Sequence, residues 1–162
     1  MASASGKSAA FMLLVLNTVL YLIVLSISGW AINHAIVSAR EKAYTSQPIP
    51  ARIFPIYFPF GNRATGFFVI FSLIAGVVGF LSSILSMHDI LQWTAANLHA
   101  AAASSIVSWL LTLLAMGFAC KEINLGWAES NLRALETIVI ILSGTQLFCV
   151  GAIHVELARL PY

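Results

Sequence analysis

A chain of 162 residues that is 60% hydrophobic and 9% charged, with a mean hydropathy of +0.93, has too little polar surface to cover a water-soluble globule of its size. Its net charge of +2, spread over separate segments, forms no basic patch, which excludes nucleic acid as a partner. Two cysteines, Cys120 and Cys149, are too few and too deeply placed to frame a disulfide-stapled fold and read as reduced packing residues.

Four apolar runs, 8–32, 64–86, 97–119 and 134–155, divide the chain. About 20 apolar residues at 1.5 Å rise cross the roughly 30 Å hydrocarbon core of a bilayer. The expected fold is therefore all-α: one integral membrane domain over 1–162, built as a four-helix transmembrane bundle with a Pro- and aromatic-rich first loop.

The first run follows Lys7 and continues to Trp30 and Ile32, too long for the 7 to 15 apolar residues of a signal peptide, so it reads as a retained membrane helix. No lipidation or retrieval motif supplements the spans. Asn17 lies near the middle of the run, with Tyr21 one turn later on the same face. The loop 33–63 is too short for an independent domain. Its stretch PARIFPIYFPFGN carries Pro50, Pro55 and Pro59, which forbid a continuous helix, while Phe54, Tyr57, Phe58 and Phe60 favour the headgroup zone. Gly61 and Asn62 make a turn, and Arg63 then stands beside the free N–H groups of the second helix. It reads either as an anion site or as an interfacial arginine on lipid phosphate.

In the second run Ser72, Gly76, Gly79 and Ser83 recur along one face, and in the third Ser104, Ser108, Thr112 and Ala115 do the same. Small residues let membrane helices approach closely, since lipid tails are as apolar as leucine. Cys120 ends the third run as a juxtamembrane palmitoylation candidate. The connection KEINLGWAESNLRALE, with Trp127 and a Glu129/Arg133 pair, predicts an amphipathic turn at the interface. The fourth run adds Ser143, Gly144 and Gly151, with Gln146 near its middle.

Asn17, Tyr21 and Gln146 must face protein or water, because unsatisfied polar groups are costly in hydrocarbon. They serve either as interhelical hydrogen bonds or as the lining of a solute path, with His34, Arg63 and His99 near the mouths to attract an anion. No ionisable residue occupies the centre of any span, so an ordinary proton relay has no evident carrier. Paired carboxylates, a Ser/His/Asp set and metal-ligand spacing are all missing within or beside the spans; His34, His88, His99 and His154 include no i, i+3 or i, i+4 pair. The chain is expected to be no enzyme, with no cofactor and no metal. Lys7 and Arg159 accompany the termini, whereas Arg40, Lys42, Arg52, Arg63, Lys121 and Arg133 accompany loops one and three, a count that favours the cytoplasm for those loops, while the long first loop is of the kind that often goes with cytosolic termini.

The strings LLVLNTVLYLIV, FPIYFPFGN, ATGFFVIF, LIAGVVG, SWLLTLLAMGFACKEI and TQLFCVGAIH, in this order and spacing from Phe11 to His154, resemble the plant family of abscisic-acid-induced plasma-membrane proteins, called AWPM-like. The chain departs from that pattern at Arg63, where a small or apolar residue is expected. The resemblance implies a multi-pass plasma-membrane protein of seed maturation, cold, drought and osmotic stress, with uptake of abscisic acid as one activity. Four spans without inverted repeats are few for an alternating-access carrier, and a homo-oligomer would repair this. The alternative is a non-catalytic membrane organiser of tetraspan-like layout, with the lipid bilayer as its main partner.

Overall fold

The computed structural model describes residues 4–45, 63–92, 94–125 and 130–159. They form four α-helices: α1 (Ala4–Thr45), α2 (Arg63–Gln92), α3 (Ala95–Leu125) and α4 (Ser130–Ala158). Each helix packs on its neighbours in sequence and α1 closes on α4, the arrangement of an up-and-down bundle. Hydrocarbon offers no hydrogen bonds to a backbone, so a helix that satisfies its own is the natural spanning element. Four stretches, Gly6–Ser38, Ala64–Gln92, Ala95–Asn124 and Ser130–Ala158, are long and apolar enough to cross a membrane. The all-helical four-span expectation agrees with this architecture.

The bundle places its polar groups inward. Large apolar side chains such as Met12 and Phe148 are about 70% exposed on the outside, while Asn17, Ser28, Ser72, Ser108, Thr112 and Gln146 are buried. Two apolar clusters fill the interior. One, at the end where α1 finishes and α2 begins, joins Tyr21, Val24, Ala31, Phe68, Val69, Ala115, Ala119, Leu135, Val139 and Leu142. The other, at the opposite end, joins Ala10, Leu14, Ile90, Ala101, Ala102, Cys149 and Ile153. Polar side chains lie between them.

Close approach is concentrated between α1 and α2. A Cβ on Gly76 would stand 3.3 Å from the backbone nitrogen of Leu25, and one on Gly79 would collide with the ring of Tyr21. A Cβ on Gly144 or Gly151 would meet nothing within 4 Å, so α4 does not use its glycines in this way. Phe67, Phe71 and Phe118 stack between α2 and α3, with centroids 5.1 to 6.5 Å apart. Thr94 caps α3: its Oγ1 accepts from the amide of Asn97 at 3.3 Å and its carbonyl accepts from the amide of Leu98 at 3.0 Å.

Helices outrun the apolar runs, and two expectations change. The connection expected to be an amphipathic turn is mostly helix: α3 continues through residues 121–125 and α4 begins at Ser130. Backbone hydrogen bonding continues into the interface, and a short link then suffices. The thirteen residues 33–45, expected to open the loop, are helical instead, because α1 runs to Thr45, about 63 Å in all at 1.5 Å per residue. The stretch PARIFPIYFPFGN, Trp127 and Glu129 lie outside the described residues, as does the side chain of Arg63.

Candidate functional site

The belt between the two apolar clusters is a chain of hydrogen bonds linking three helices. Asn17 of α1 donates through Nδ2 to Oε1 of Gln146 on α4 at 2.6 Å. Gln146 donates through Nε2 to the carbonyl of Ser105 on α3 at 3.3 Å. One turn along α1, the Tyr21 hydroxyl lies 2.9 Å from Oγ1 of Thr112. Thr112 already donates to the Ser108 carbonyl at 2.8 Å, so Tyr21 is the donor. Trp109 adds a bond from Nε1 to the Ser143 carbonyl at 3.2 Å, and Ser143 donates to the Ile140 carbonyl at 2.7 Å. On the α2 side, Ser86 and Ser104 meet through their hydroxyls at 3.1 Å.

The belt is not fully satisfied. Asn17 Oδ1 and the Ser83 hydroxyl are buried without a hydrogen-bond partner, and so are the hydroxyls of Ser28 and Ser72, which lie among residues of the first apolar cluster. Such a group costs roughly 1 to 3 kcal/mol where no water reaches it. Asn17 also lies beside the buried thiol of Cys149. Both cysteines are free, with Cys120 exposed.

Of the residues singled out from the sequence, Asn17, Tyr21 and Gln146 come together in this belt. Ser108 and Thr112 join them, since the small-residue face of α3 is also its hydrogen-bonding face. Ser72 and Ser83 are buried on α2, on either side of the glycines that admit α1. His34 and His99 do not meet: His34 is exposed on α1, its ring stacked on Trp30 at 5.2 Å, and His99 is exposed near the start of α3, at the opposite end.

Sequence reasoning missed the buried glutamates. Glu122 is fully buried, and Glu136 and Glu156 are 4% exposed. Glu122 and Glu136 belong to the segment expected to lie at the surface as a turn, and they lie near enough for their charges to repel. They lie fourteen positions apart in sequence, and the antiparallel packing of α3 on α4 brings them to the same end of the bundle. A signal existed. The buried face of α3 through Ser108, Thr112 and Ala115, continued two turns, reaches Ala119 and Glu122. That of α4 runs through Glu136, Val139, Ser143 and Gln146.

Glu122 accepts from Oγ1 of Thr65 at 2.6 Å. Glu156 instead holds Nη1 of Arg159 at 2.8 Å, against the bare backbone of Gly6 on α1, where any Cβ would collide with its carboxyl. Among the described residues no group of three or more His, Cys, Asp or Glu side chains is placed to hold a metal.

The AWPM-19-like family model matches residues 15–156. The chain belongs to this family. The belt, the glycines that admit Tyr21 and Leu25, and all three buried glutamates fall inside the matched stretch. This AWPM-19-like protein is also 41% identical over 150 residues to the membrane protein PM19L of Oryza sativa subsp. japonica, a similarity that covers 92% of the chain and 79% of the rice protein. No solved structure matches it.

Proposed function

We propose that this AWPM-19-like protein is a non-enzymatic, multi-pass plasma-membrane protein that admits a small weak acid of the abscisic acid type, in the service of dehydration and cold tolerance. The abscisic acid association comes from the family resemblance. The observation that carries the reading is the polar belt at mid-bundle, with unspent hydrogen-bonding capacity at Asn17 Oδ1 and at the Ser83 hydroxyl. Replacing a buried polar pair by apolar groups of the same shape is often neutral or stabilising, so a belt with orphaned atoms is hard to account for as scaffolding alone. An amphipathic acid has an apolar body suited to the two flanking clusters and oxygen atoms suited to the amides of Asn17 and Gln146. Admission requires α1 and α4 to part at the Asn17–Gln146 hydrogen bond, worth about 1 kcal/mol between membrane helices.

The test is uptake of labelled abscisic acid by liposomes containing only this protein. Accumulation above protein-free liposomes is expected, with loss in N17L and in Q146L. Flux equal to that of empty liposomes, with folded and inserted protein, would overturn the proposal. One feature favours a second reading, a non-catalytic membrane organiser: Asn17 with Gln146 and Tyr21 with Thr112 are bonded side chain to side chain, as in a static bundle. Stress tolerance that survives N17L with Q146L at normal protein abundance would favour the organiser.

A further inference from the structure

Glu156 stands where local rules disfavour it. It lies in the last turn of α4, where the carbonyls of the helix end repel a negative charge, and it is 4% exposed, although a buried charge is costly unless paired. Two groups hold it there. Nη1 of Arg159 donates to its Oε1 at 2.8 Å. The same carboxyl fills the space that a side chain on Gly6 would take, and Gly6 is in the first turn of α1, the positive end of that helix.

A guanidinium and a helix N-terminus each favour a carboxylate, and here an internal one takes the place. It is not fully satisfied by it: Oε2 of Glu156 is buried without a hydrogen-bond partner. Replacing Glu156 by an incoming carboxylate exchanges charge for charge. Lys7, next along α1, reaches the carbonyl of Leu91 near the end of α2 at 3.3 Å, so this mouth carries a second cation. Behind it lie Ala10, Leu14 and Ile153 of the second apolar cluster, and the belt at Asn17 follows about 16 Å further along α1, at 1.5 Å per residue.

We propose that Arg159 and the first turn of α1 form a carboxylate-binding site at the end of the bundle where α1 begins and α4 ends, filled by Glu156 until a solute carboxylate takes its place. The solute leaves its carboxylate on Arg159 and lays its apolar body over the cluster, while Glu156 swings off α1 into the water beyond α4. One tie between α1 and α4 is thereby released, and the Asn17–Gln146 bond is the next. That the solute is of the abscisic acid type rests on the weak-acid reading above; capture of a simple carboxylate does not.

Benzoate, with benzamide as its uncharged counterpart, tests the site on the full chain in phosphatidylcholine nanodiscs without any transport assay. Spin labels attached through S8C and A158C in a C120S background occupy exposed positions on α1 and α4 and report the separation of the two helices. Benzoate is expected to lengthen that separation and benzamide to leave it unchanged. E156Q removes the internal occupant, so the helices should part without benzoate and benzoate should bind about tenfold tighter. Gly6→Ala crowds both carboxylates, so it should part the helices and weaken benzoate; R159Q should abolish the response. Either E156Q or Gly6→Ala suffices, provided its circular dichroism and monodispersity match the parent. A separation that benzoate moves in neither the parent nor E156Q, or that benzamide moves equally, overturns the proposal. Helices already parted in phosphatidylglycerol nanodiscs without benzoate assign the site to lipid phosphate and overturn it as well. If benzoate acts as expected while liposomes accumulate no abscisic acid, the carboxylate site stands and the transport reading falls. Accumulation that is unchanged in R159Q, with no response to benzoate, keeps the transport reading and removes the site.

Discussion

Gly79 shows how much a single residue decides here. The Tyr21 ring lies where a side chain on Gly79 would be, and the ring cannot swing aside without breaking its hydrogen bond to Thr112. Gly79→Ala should therefore destabilise the bundle by about 1 to 3 kcal/mol, the usual range for overpacking. Gly144→Ala meets no atom within 4 Å and should change stability by less than about 1 kcal/mol, with helix propensity in its favour. Unfolding in mixed micelles by increasing fractions of denaturing detergent would compare the two. Equal loss in both would show that Tyr21 yields. The spacing of small residues made both glycines candidates for packing, but spacing does not say which of them a neighbour occupies. Gly79 faces a tyrosine and Gly144 faces space, a difference set by how each helix is rotated about its axis.

Between elements, α1 and α4 are far apart in sequence and adjacent in space, and the bond from Asn17 to Gln146 ties them at mid-bundle. Asn17→Leu leaves Oε1 of Gln146 without its donor, and Gln146→Leu strands the Asn17 amide. Each single change should cost about 1 to 3 kcal/mol, and the double change less than their sum. A double-mutant cycle should return a coupling of about 1 kcal/mol, typical of interhelical hydrogen bonds in membranes. Additive losses would show that the two amides do not depend on one another. The same scale explains the misplaced glutamates. Helix ends were read from the decline of hydropathy, yet α3 and α4 continue past it, because a helix satisfies its backbone in the interface as well as in hydrocarbon. Glu122 and Glu136 were thereby carried onto buried faces.

The whole molecule is arranged for a lipid solvent, with aliphatic and aromatic side chains outward and hydroxyls, amides and carboxyls inward. Six of the eight Lys and Arg residues accompany the end carrying loops one and three, which predicts that this end faces the cytoplasm. A cysteine introduced as R40C in a C120S background should react with a membrane-impermeant maleimide only after cells are permeabilised. Labelling of intact cells would reverse the orientation and place Glu122 and Glu136 on the outer face. Hydropathy is a sum over a local window and needs no knowledge of neighbours, so the sequence by itself determined the lipid solvent, the four spanning helices and the small and polar residues they turn inward. Which polar group meets which depends on the rotation and axial shift of each helix against the next, quantities that no local window contains. Tertiary structure alone decided that Asn17 meets Gln146, that Tyr21 lies over Gly79, and that Glu122 and Glu136 share one end of the bundle.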